Sequence, residues 1–192
     1  MLLTNGDSLN ETTLTKMSKM TAGNGANVVE RVWVVGGTAA ISTAATNTLT
    51  AAGYTVVRVS GADRYATANA VAAKVASIST LGTNAYNSKT TDFLVSGSSW
   101  ADGLAVSGVA FNKKFPIYLT DGASLTASTK TALDNATHNI GRVIIVGGTS
   151  AVSEAVATEV GTIKNGAAGT TAIEVQRISG ADRYATAVEV AK

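Results

Sequence analysis

A nine-residue segment of this 192-residue chain occurs twice without a single change. The segment SGADRYATA fills positions 60–68 and again positions 179–187. A chance match of this length in so short a chain is negligible, so the chain contains a duplicated module. A repeat of this kind indicates tandem copies of one structural unit.

Two further pairs of segments extend the repeat. Residues 3–9 (LTNGDSL) correspond to 119–125 (LTDGASL), and residues 34–38 (VVGGT) correspond to 145–149 (IVGGT). The spacing differs between the pairs, as expected of modules that keep their core and vary their surface loops. We predict an excerpt of a longer array: the second half of a truncated repeat at 1–53, a complete repeat at 54–169, and the start of a third at 170–192.

Short apolar runs rich in Val and Ile alternate with longer segments of helical period. Apolar strands that alternate with helices favour a parallel sheet covered on both faces. We therefore predict an α/β fold with about four strands in each complete copy. Ser8 followed by Glu11 predicts a capping box at the first helix. The predicted strands are 32–35, 55–59, 92–96, 115–119, 143–146 and 172–178, and the predicted helices are 9–20, 41–52, 64–77, 101–112, 125–136, 152–164 and 184–192.

Composition excludes several classes of protein. With 45% hydrophobic and 15% charged residues the chain is globular rather than disordered. The net charge of +2 is scattered, with Lys113-Lys114 as the longest basic run, so no nucleic-acid partner is predicted. The absence of cysteine excludes disulfides and thiolate metal sites. No apolar run reaches the roughly 18 residues of a membrane span, and a secreted parent would carry its signal peptide upstream.

Candidates for catalysis are few. His138 is the only histidine, which excludes histidine pairs for a metal and weakens any Ser-His-Asp arrangement. Asp102 is interpreted as a carboxylate at a helix start rather than a catalytic acid. The glycine pairs at 36–37 and 147–148 are interpreted either as anion sites at helix N-termini or as tight strand-to-helix turns; neither dinucleotide nor P-loop spacing is present. We predict no catalytic residue, no cofactor and no metal.

The repeated block itself places charges at the start of a helix. Asp63 precedes a predicted helix and can cap its first N–H groups. Arg64 then lies in the first turn, where the helix dipole disfavours a cation. Two explanations remain open: Arg64 pairs with a carboxylate of a neighbouring copy, or it binds an anionic group. The same alternatives apply to Arg183 in the second block.

Several motifs together resemble the cell wall binding repeat type 2 family. Residues 34–42 (VVGGTAAIS) and 57–68 (VRVSGADRYATA) resemble its signature, residues 96–105 (SGSSWADGLA) its middle motif, and residues 115–121 (FPIYLTD) its next strand. The resemblance implies a Toprim-like α/β fold in three tandem copies arranged as a pseudo-threefold trimer. It also implies non-covalent, non-catalytic attachment to an anionic polymer of Gram-positive walls, and hence an extracellular location in the cell wall or S-layer.

An Ile-Leu-Leu stretch of that family, linked with polymer binding, maps onto 117–119 and onto 1–3. Tyr118 departs from the pattern, and it is interpreted either as a surface for stacking on a sugar ring or as a buried strand residue. The predicted partners are an anionic polysaccharide or teichoic-acid-like polymer and the neighbouring repeats of the chain. The alternatives are a structural or self-associating repeat and, third, a wall hydrolase. The predicted polymer-binding residues are Arg58, Arg64, Lys113, Lys114, Ile117, Tyr118, Leu119, Arg177 and Arg183.

Overall fold

The computed structural model describes residues 2–22, 31–78, 89–135, 138–164 and 170–192. The chain divides into two compact units, which we call unit 1 (Met1–Ala62) and unit 2 (Asp63–Lys192). This division follows packing, whereas the repeat boundaries at 54 and 170 follow sequence correspondence, so those boundaries stay a prediction.

Unit 1 contains two helices and two parallel strands among its described residues. They are α1 (Glu11–Ala22), β1 (Arg31–Val35), α2 (Thr43–Ala51) and β2 (Thr55–Val59). The strands pair in parallel with Trp33 opposite Val57. Helix α2 begins where the Ser42 hydroxyl accepts a hydrogen bond from Ala45 N, as a serine cap does. The small core of unit 1 is formed by Met17, Val34, Leu49 and Tyr54.

Unit 2 is built around a four-stranded parallel sheet in the order β4-β3-β5-β6. The central strands β3 and β5 are buried along their whole length, which explains why the middle of each is an apolar run without alternation. The predicted α/β class with a helix-covered parallel sheet is therefore confirmed. The elements are α3 (Arg64–Ile78), β3 (Thr91–Ser96), α4 (Trp100–Lys113), β4 (Ile117–Thr120), α5 (Ala127–Leu133), β5 (Arg142–Val146), α6 (Glu154–Thr162), β6 (Glu174–Ile178) and α7 (Arg183–Val190).

Each face of this sheet carries its own hydrophobic cluster. On one face Leu94 and Ile145 pack with residues of α3, α5 and α6. On the other face Phe93 and Val146 pack with residues of α4, and Val190 of α7 joins them. Burial of these side chains is the main favourable contribution to folding of the unit. Among the described residues, no helix has both the length and the apolar character needed to cross a membrane.

Two local predictions differ from the structure. Strand β4 begins at Ile117 rather than at residue 115, because Pro116 has no N–H and contributes only its carbonyl, which accepts from Phe93 N at 2.8 Å. The Ser8–Glu11 capping box is wrong. Helix α1 is instead capped by Asn10, whose Oδ1 accepts from the backbone N–H groups of Thr12 and Thr13 at 3.0 and 3.4 Å.

Candidate functional site

The glycine pair after β5 forms a tight turn that an arginine holds in place. Gly147 has φ of +114°, a conformation that glycine adopts without strain. Its carbonyl accepts a hydrogen bond from Arg177 Nη1 at 2.8 Å. In unit 1 the carbonyl of Gly36, with φ of +121°, accepts in the same way from Arg58 Nη1 at 2.7 Å. These contacts support the tight-turn interpretation of the glycine pairs and give Arg58 and Arg177 a structural task.

Arg177 also has an acidic neighbour within unit 2. Its Nη2 lies 3.0 Å from Glu154 Oε1. The atoms are close enough for an ion pair, although the N–H direction does not give a well-aligned hydrogen bond. The Arg177 side chain is 19% exposed while that of Glu154 is 69% exposed. Arg177 is therefore occupied mainly by contacts inside its own unit.

The repeated block forms the starts of α3 and α7. Asp63 Oδ1 accepts from Ala66 N at 2.7 Å, and Asp182 Oδ1 accepts from Ala185 N at 2.8 Å. The predicted capping role of Asp63 is confirmed. Arg64 Nη1 donates to the carbonyl of Gly97, after β3, at 2.9 Å. Within the described part of the chain Arg64 has no carboxylate partner, so its hydrogen bond goes to backbone.

Arg183 lies near a buried carboxylate at the start of α4. Asp102 is buried in the first turn of that helix, and burial raises its pKa, while the positive charge of Arg183 acts in the opposite direction. Gly147 passes so close that a Cβ placed there would lie 2.7 Å from Asp102 Oδ2. The arrangement gathers Asp102, Arg177 and Arg183 at the carboxyl-terminal ends of β5 and β6. Arg64 lies at the same edge of the sheet, beside the loop after β3.

The two predicted lysines lie at the opposite edge. Lys113 ends α4, and Lys114 follows it with φ of 59°, so both precede the start of β4. In a parallel sheet with returning helices, the end of a helix lies near the amino-terminal ends of the strands. Both lysines are exposed. Unit 2 therefore separates them from Arg64, Arg177 and Arg183.

The predicted Ile-Tyr-Leu stretch forms β4, which is an edge strand of the sheet. Ile117 and Leu119 are half-buried and pack against the cluster on the α4 face. Tyr118 is fully buried on the other face, with its hydroxyl 3.4 Å from His138 Nδ1. Burial raises the pKa of Tyr118, and the charge of Asp92 raises it further. The ring of Tyr118 is a core element here, so it offers no face to a sugar.

Sequence reasoning missed a charged cluster at the amino-terminal end of β5 and β6. Arg142 is 1% exposed, and its Nε and Nη2 lie 3.1 and 3.3 Å from the Glu174 carboxylate. Hydrogen bonds from Lys89 and from Arg142 lower the pKa of Glu174 to about 2. One signal was present in the sequence: an arginine opens the corresponding apolar strand in both copies, as Arg31 and Arg142.

A second missed residue is Asp92, which is fully buried in β3. Neither of its carboxylate oxygens has a hydrogen-bond partner among the described residues, and burial raises its pKa to about 8. No group of three or more His, Asp or Glu side chains suited to a metal ion occurs in the described part of the chain.

Comparison with known proteins assigns this repeated α/β architecture to a class of wall-binding modules. Residues 58–157 match the family described as cell wall binding domain 2, which covers more than half of the chain. The chain belongs to this family.

The chain is similar to parts of three longer proteins. The chain is 36% identical over 138 residues to the N-acetylmuramoyl-L-alanine amidase LytC of Bacillus subtilis (strain 168), a match that covers 71% of this chain and 24% of the amidase. It is similar in structure to Cwp8 from Clostridium difficile, with a TM-score of 0.71 and 25% identity over 98% of this chain and 28% of Cwp8. Cwp6 from the same organism has the same fold, with a TM-score of 0.76 and 23% identity over 98% of this chain and 26% of Cwp6. The chain thus spans about a quarter of the length of these proteins.

Proposed function

We propose that this chain anchors its parent protein to the cell wall by binding an anionic wall polymer non-covalently, without catalysis of its own. Family membership supports binding to the wall. The wall-protein relatives support a location in the cell wall or S-layer of a Gram-positive bacterium. The charge of the polymer is inferred from the arginines of the repeated block.

The observation that carries this proposal is the environment of Arg183. The residue is exposed in the first turn of α7, where the helix dipole disfavours a cation. Within the described residues it makes no hydrogen bond or ion pair, and its acidic neighbour Asp102 interacts with it only through charge. Arg177, by contrast, contacts Glu154 and Gly147. A planar guanidinium with unused donors matches the geometry of phosphate and carboxylate groups. Arg183 is therefore our first polymer contact.

Arg64 is the second contact, since it occupies the same position of the repeat. It uses Nη1 for the Gly97 carbonyl, and a guanidinium has five N–H donors in all. Lys113 and Lys114 form a separate cationic region at the other edge of the sheet. Individual contacts of this kind are weak, but tandem copies on one long polymer make the later contacts intramolecular. We also propose that the module is Toprim-like and that the parent protein has three tandem copies of it. The repeated segments support the tandem copies.

The experiment is a binding assay with purified Gram-positive walls, before and after acid extraction of the anionic polymers. The test variant is Arg183→Gln. The matched control is Lys192→Gln, which removes an exposed cation from the same end of the chain, where Lys192 pairs with Glu189. We expect Arg183→Gln to weaken binding about tenfold, because a charged hydrogen bond is lost, and Lys192→Gln to bind like the wild type. Extraction should abolish binding. Equal binding by Arg183→Gln and the wild type, or binding that survives extraction, contradicts the proposal.

The alternative is a structural or self-associating module, in which the arginines serve only to hold the protein together. The contacts of Arg177 with Glu154 and Gly147 favour it for that residue. Polymer binding through exposed arginines should fall steeply as salt rises from low to physiological ionic strength. Wall binding that is insensitive to salt, together with concentration-dependent self-association of the chain, would favour the alternative.

A wall hydrolase is the third candidate, because one relative is an amidase. The test is release of soluble fragments from purified walls by this chain alone. We expect no release, since the matched region covers only 24% of that amidase.

A further inference from the structure

A crevice of about 440 Å³ opens in unit 2 where β3, β4 and β5 end. Strand β3 lies between β4 and β5, so the chain leaves β3 toward one side of the sheet and later returns to its other side. Open parallel α/β sheets bind ligands at such a point, beyond the carboxyl-terminal ends of the strands. Apolar atoms make up the larger part of the crevice surface, but six of the ten lining residues carry a hydroxyl group: Ser96, Ser98, Ser99, Thr149, Ser150 and Ser153.

The loops that form this crevice brace one another. The loops after β4 and β5 touch through their backbones, since a Cβ on Gly122 would lie 2.5 Å from the carbonyl oxygen of Ala151. Ser153 N also donates to Gly122 O at 2.8 Å. The loop after β3 is fixed by Gly97 N, which donates to Thr120 O at 2.8 Å, and by Arg64, which donates to Gly97 O. A site with such fixed walls loses little entropy when it binds a ligand.

The chemistry of the lining favours a neutral ligand. Asp121 is the one charged residue in it, and no lysine or arginine contributes. Asp121 Oδ1 accepts from Ala123 N at 2.9 Å, whereas Oδ2 has no partner within the described residues. A carboxylate only accepts hydrogen bonds, while hydroxyls both donate and accept. An anion would be repelled by Asp121, but a ligand that carries several hydroxyl groups satisfies the whole set.

An exposed aromatic residue stands next in the sequence to the lining of the crevice. Trp100 directly follows the lining residue Ser99, and 72% of its surface is exposed. Trp combines a large flat apolar surface with one polar N–H. One face of a pyranose ring presents C–H bonds, which pack on such a surface, while its hydroxyls point outward to polar groups.

We propose that this crevice is a subsite for a neutral pyranose unit. The Asp121 carboxylate and the surrounding hydroxyls bind the sugar hydroxyls, and Trp100 packs against the ring. This inference rests on the proposed function for the source of the sugar, a wall polymer. In this scheme the crevice binds neutral sugar rings of the polymer, and Arg183 and Arg64 bind its anionic groups.

Unit 1 supplies variants that the fold already accommodates. Its loops carry Asn5 where unit 2 has Asp121, and Ala39 where unit 2 has Ser150. Asp121→Asn and Ser150→Ala therefore change the lining toward residues that occur at the same places in the repeat. Asp134→Asn is the matched control, because Asp134 is an exposed carboxylate at the far end of α5, away from the crevice.

The experiment titrates the full chain with N-acetylglucosamine, a neutral pyranose, and separately with inorganic phosphate, while NMR follows the amide signals. We expect the sugar to shift the amides of 96–99, 121–123 and 149–153 and the indole N–H of Trp100. Asp121→Asn should weaken this binding about tenfold, because it replaces a charged acceptor oxygen by a neutral NH2 donor, and Ser150→Ala about threefold, because it removes a hydroxyl group. Asp134→Asn should bind like the wild type.

Two results would overturn the subsite: no sugar-induced shift in these loops at saturating concentrations, or larger shifts there with phosphate than with the sugar. Unchanged sugar affinity in Asp121→Asn would equally contradict it. The wall assay with Arg183→Gln reports on the proposed function separately. If Arg183→Gln loses wall binding but the sugar shifts no amide signal of the crevice, only the subsite is rejected. If the sugar shifts these signals but the chain does not bind walls, only the anchoring role is rejected.

Discussion

Unit 1 and unit 2 build their loops with the same hydrogen bonds but differ in their sheets. In both units an arginine near the end of a strand binds the carbonyl of a glycine with positive φ, and a serine at a helix start binds the loop opposite. The distances agree closely between the copies. The pairs are Arg58–Gly36 at 2.7 Å with Arg177–Gly147 at 2.8 Å, and Ser42–Gly6 at 2.7 Å with Ser153–Gly122 at 2.8 Å.

Among the described residues, the sheet of unit 1 has two strands and the sheet of unit 2 has four. In unit 2, β3 lies between β4 and β5 and is buried on both faces. In unit 1 the segment 2–4, which corresponds to the end of β4, is not a strand among the described residues. An apolar cavity of about 560 Å³ lies between this segment and β1, lined in part by Leu2, Leu3 and Val34.

The shared contacts are of two kinds. The Ser42 and Ser153 caps bind amides three residues away, whereas the arginine–glycine bonds join residues 22 and 30 positions apart, and both kinds occur in both units. In unit 2, strand β4 takes its pairing from β3. Experiments that act on β3 should therefore affect unit 2 alone, while experiments on the shared turns should affect both units.

The largest expected effect is a pH dependence that is confined to unit 2. Burial raises the pKa of Asp92 in β3 from 3.8 to about 8, so the folded state holds a proton that the unfolded state has lost. Stability should therefore be highest below pH 4 for this group and fall as pH rises from 4 to about 8, by up to about 1.4 kcal/mol per pH unit. Urea denaturation between pH 5 and pH 8, followed by hydrogen exchange in β3 and β5, measures this slope.

Asp92→Asn is the control for that slope, because it removes the titrating group at nearly the same volume. The Asn variant should lose most of the decline between pH 5 and pH 8. The lowered pKa of Glu174 acts in a different window, since its stabilisation is lost only as pH falls from 4.5 toward 2. A wild-type slope that Asp92→Asn leaves unchanged would show that another group is responsible.

The second prediction concerns two leucines in different surroundings. Leu94 in β3 is fully buried, whereas Leu3 of unit 1 is 79% exposed beside the apolar cavity. Leu94→Ala should cost unit 2 about 3 kcal/mol, a typical value for a leucine removed from a core. Leu3→Ala should change stability by no more than about 0.5 kcal/mol. Hydrogen exchange of the amides in each strand measures the stability of each unit. Comparable losses of stability for the two variants would mean that the unit 1 cavity is closed in solution.

The third prediction compares the two turn glycines. Gly36 and Gly147 have similar positive φ values, and a Cβ on either would meet an alanine Cβ at 3.2 Å. Only Gly147 also faces the Asp102 carboxylate, at 2.7 Å. Backbone strain should cost about 1–2 kcal/mol in both alanine variants. Displacement of the buried carboxylate should make Gly147→Ala worse by about 1–2 kcal/mol more.

A double-mutant cycle isolates the contribution of the carboxylate. In an Asp102→Ala background, Gly147→Ala should cost about as much as Gly36→Ala does in the wild type. If the excess cost persists without the carboxylate, the difference between the two turns lies in the backbone rather than in the contact with Asp102.

The sequence predicted the elements well because burial and local chemistry coincide in them. The runs FLV at 93–95 and VIIV at 143–146 are apolar without alternation, and both lie in buried central strands. Asp63 lies directly before its helix, so its capping role was readable. The cap at Asn10 could not be predicted, because the nearby Ser8–Glu11 pair fits a capping box. The turn before the helix is instead held by Thr4, whose hydroxyl donates to Ser8 O and accepts from Asn10 N.

The candidate site was less predictable because it depends on contacts between distant segments. The Arg142–Glu174 pair joins two strands and requires their register. Tyr118 lies on an edge strand, where composition does not show that helices cover the ring. The hydroxyl crevice consists of loop serines and threonines, residue types that occur in most loops. Only the strand order brings the three loops together.

The smallest effect should come from the two serine caps, and it should be nearly equal in both units. The Ser42 hydroxyl accepts from Ala45 N at 3.2 Å and donates to Asp7 O at 3.0 Å. The corresponding distances for Ser153 are 3.4 Å to Val156 N and 3.2 Å to Ala123 O. Each serine-to-alanine variant should lower the free energy of unfolding of its unit by about 1 kcal/mol, as measured for helix caps. Because both hydrogen bonds are shorter in unit 1, Ser42→Ala should cost at least as much as Ser153→Ala. A clearly larger loss for Ser153→Ala in urea denaturation would mean that the loops of unit 2 depend on contacts with its central strand, and that the two copies share their turns in geometry but not in energy.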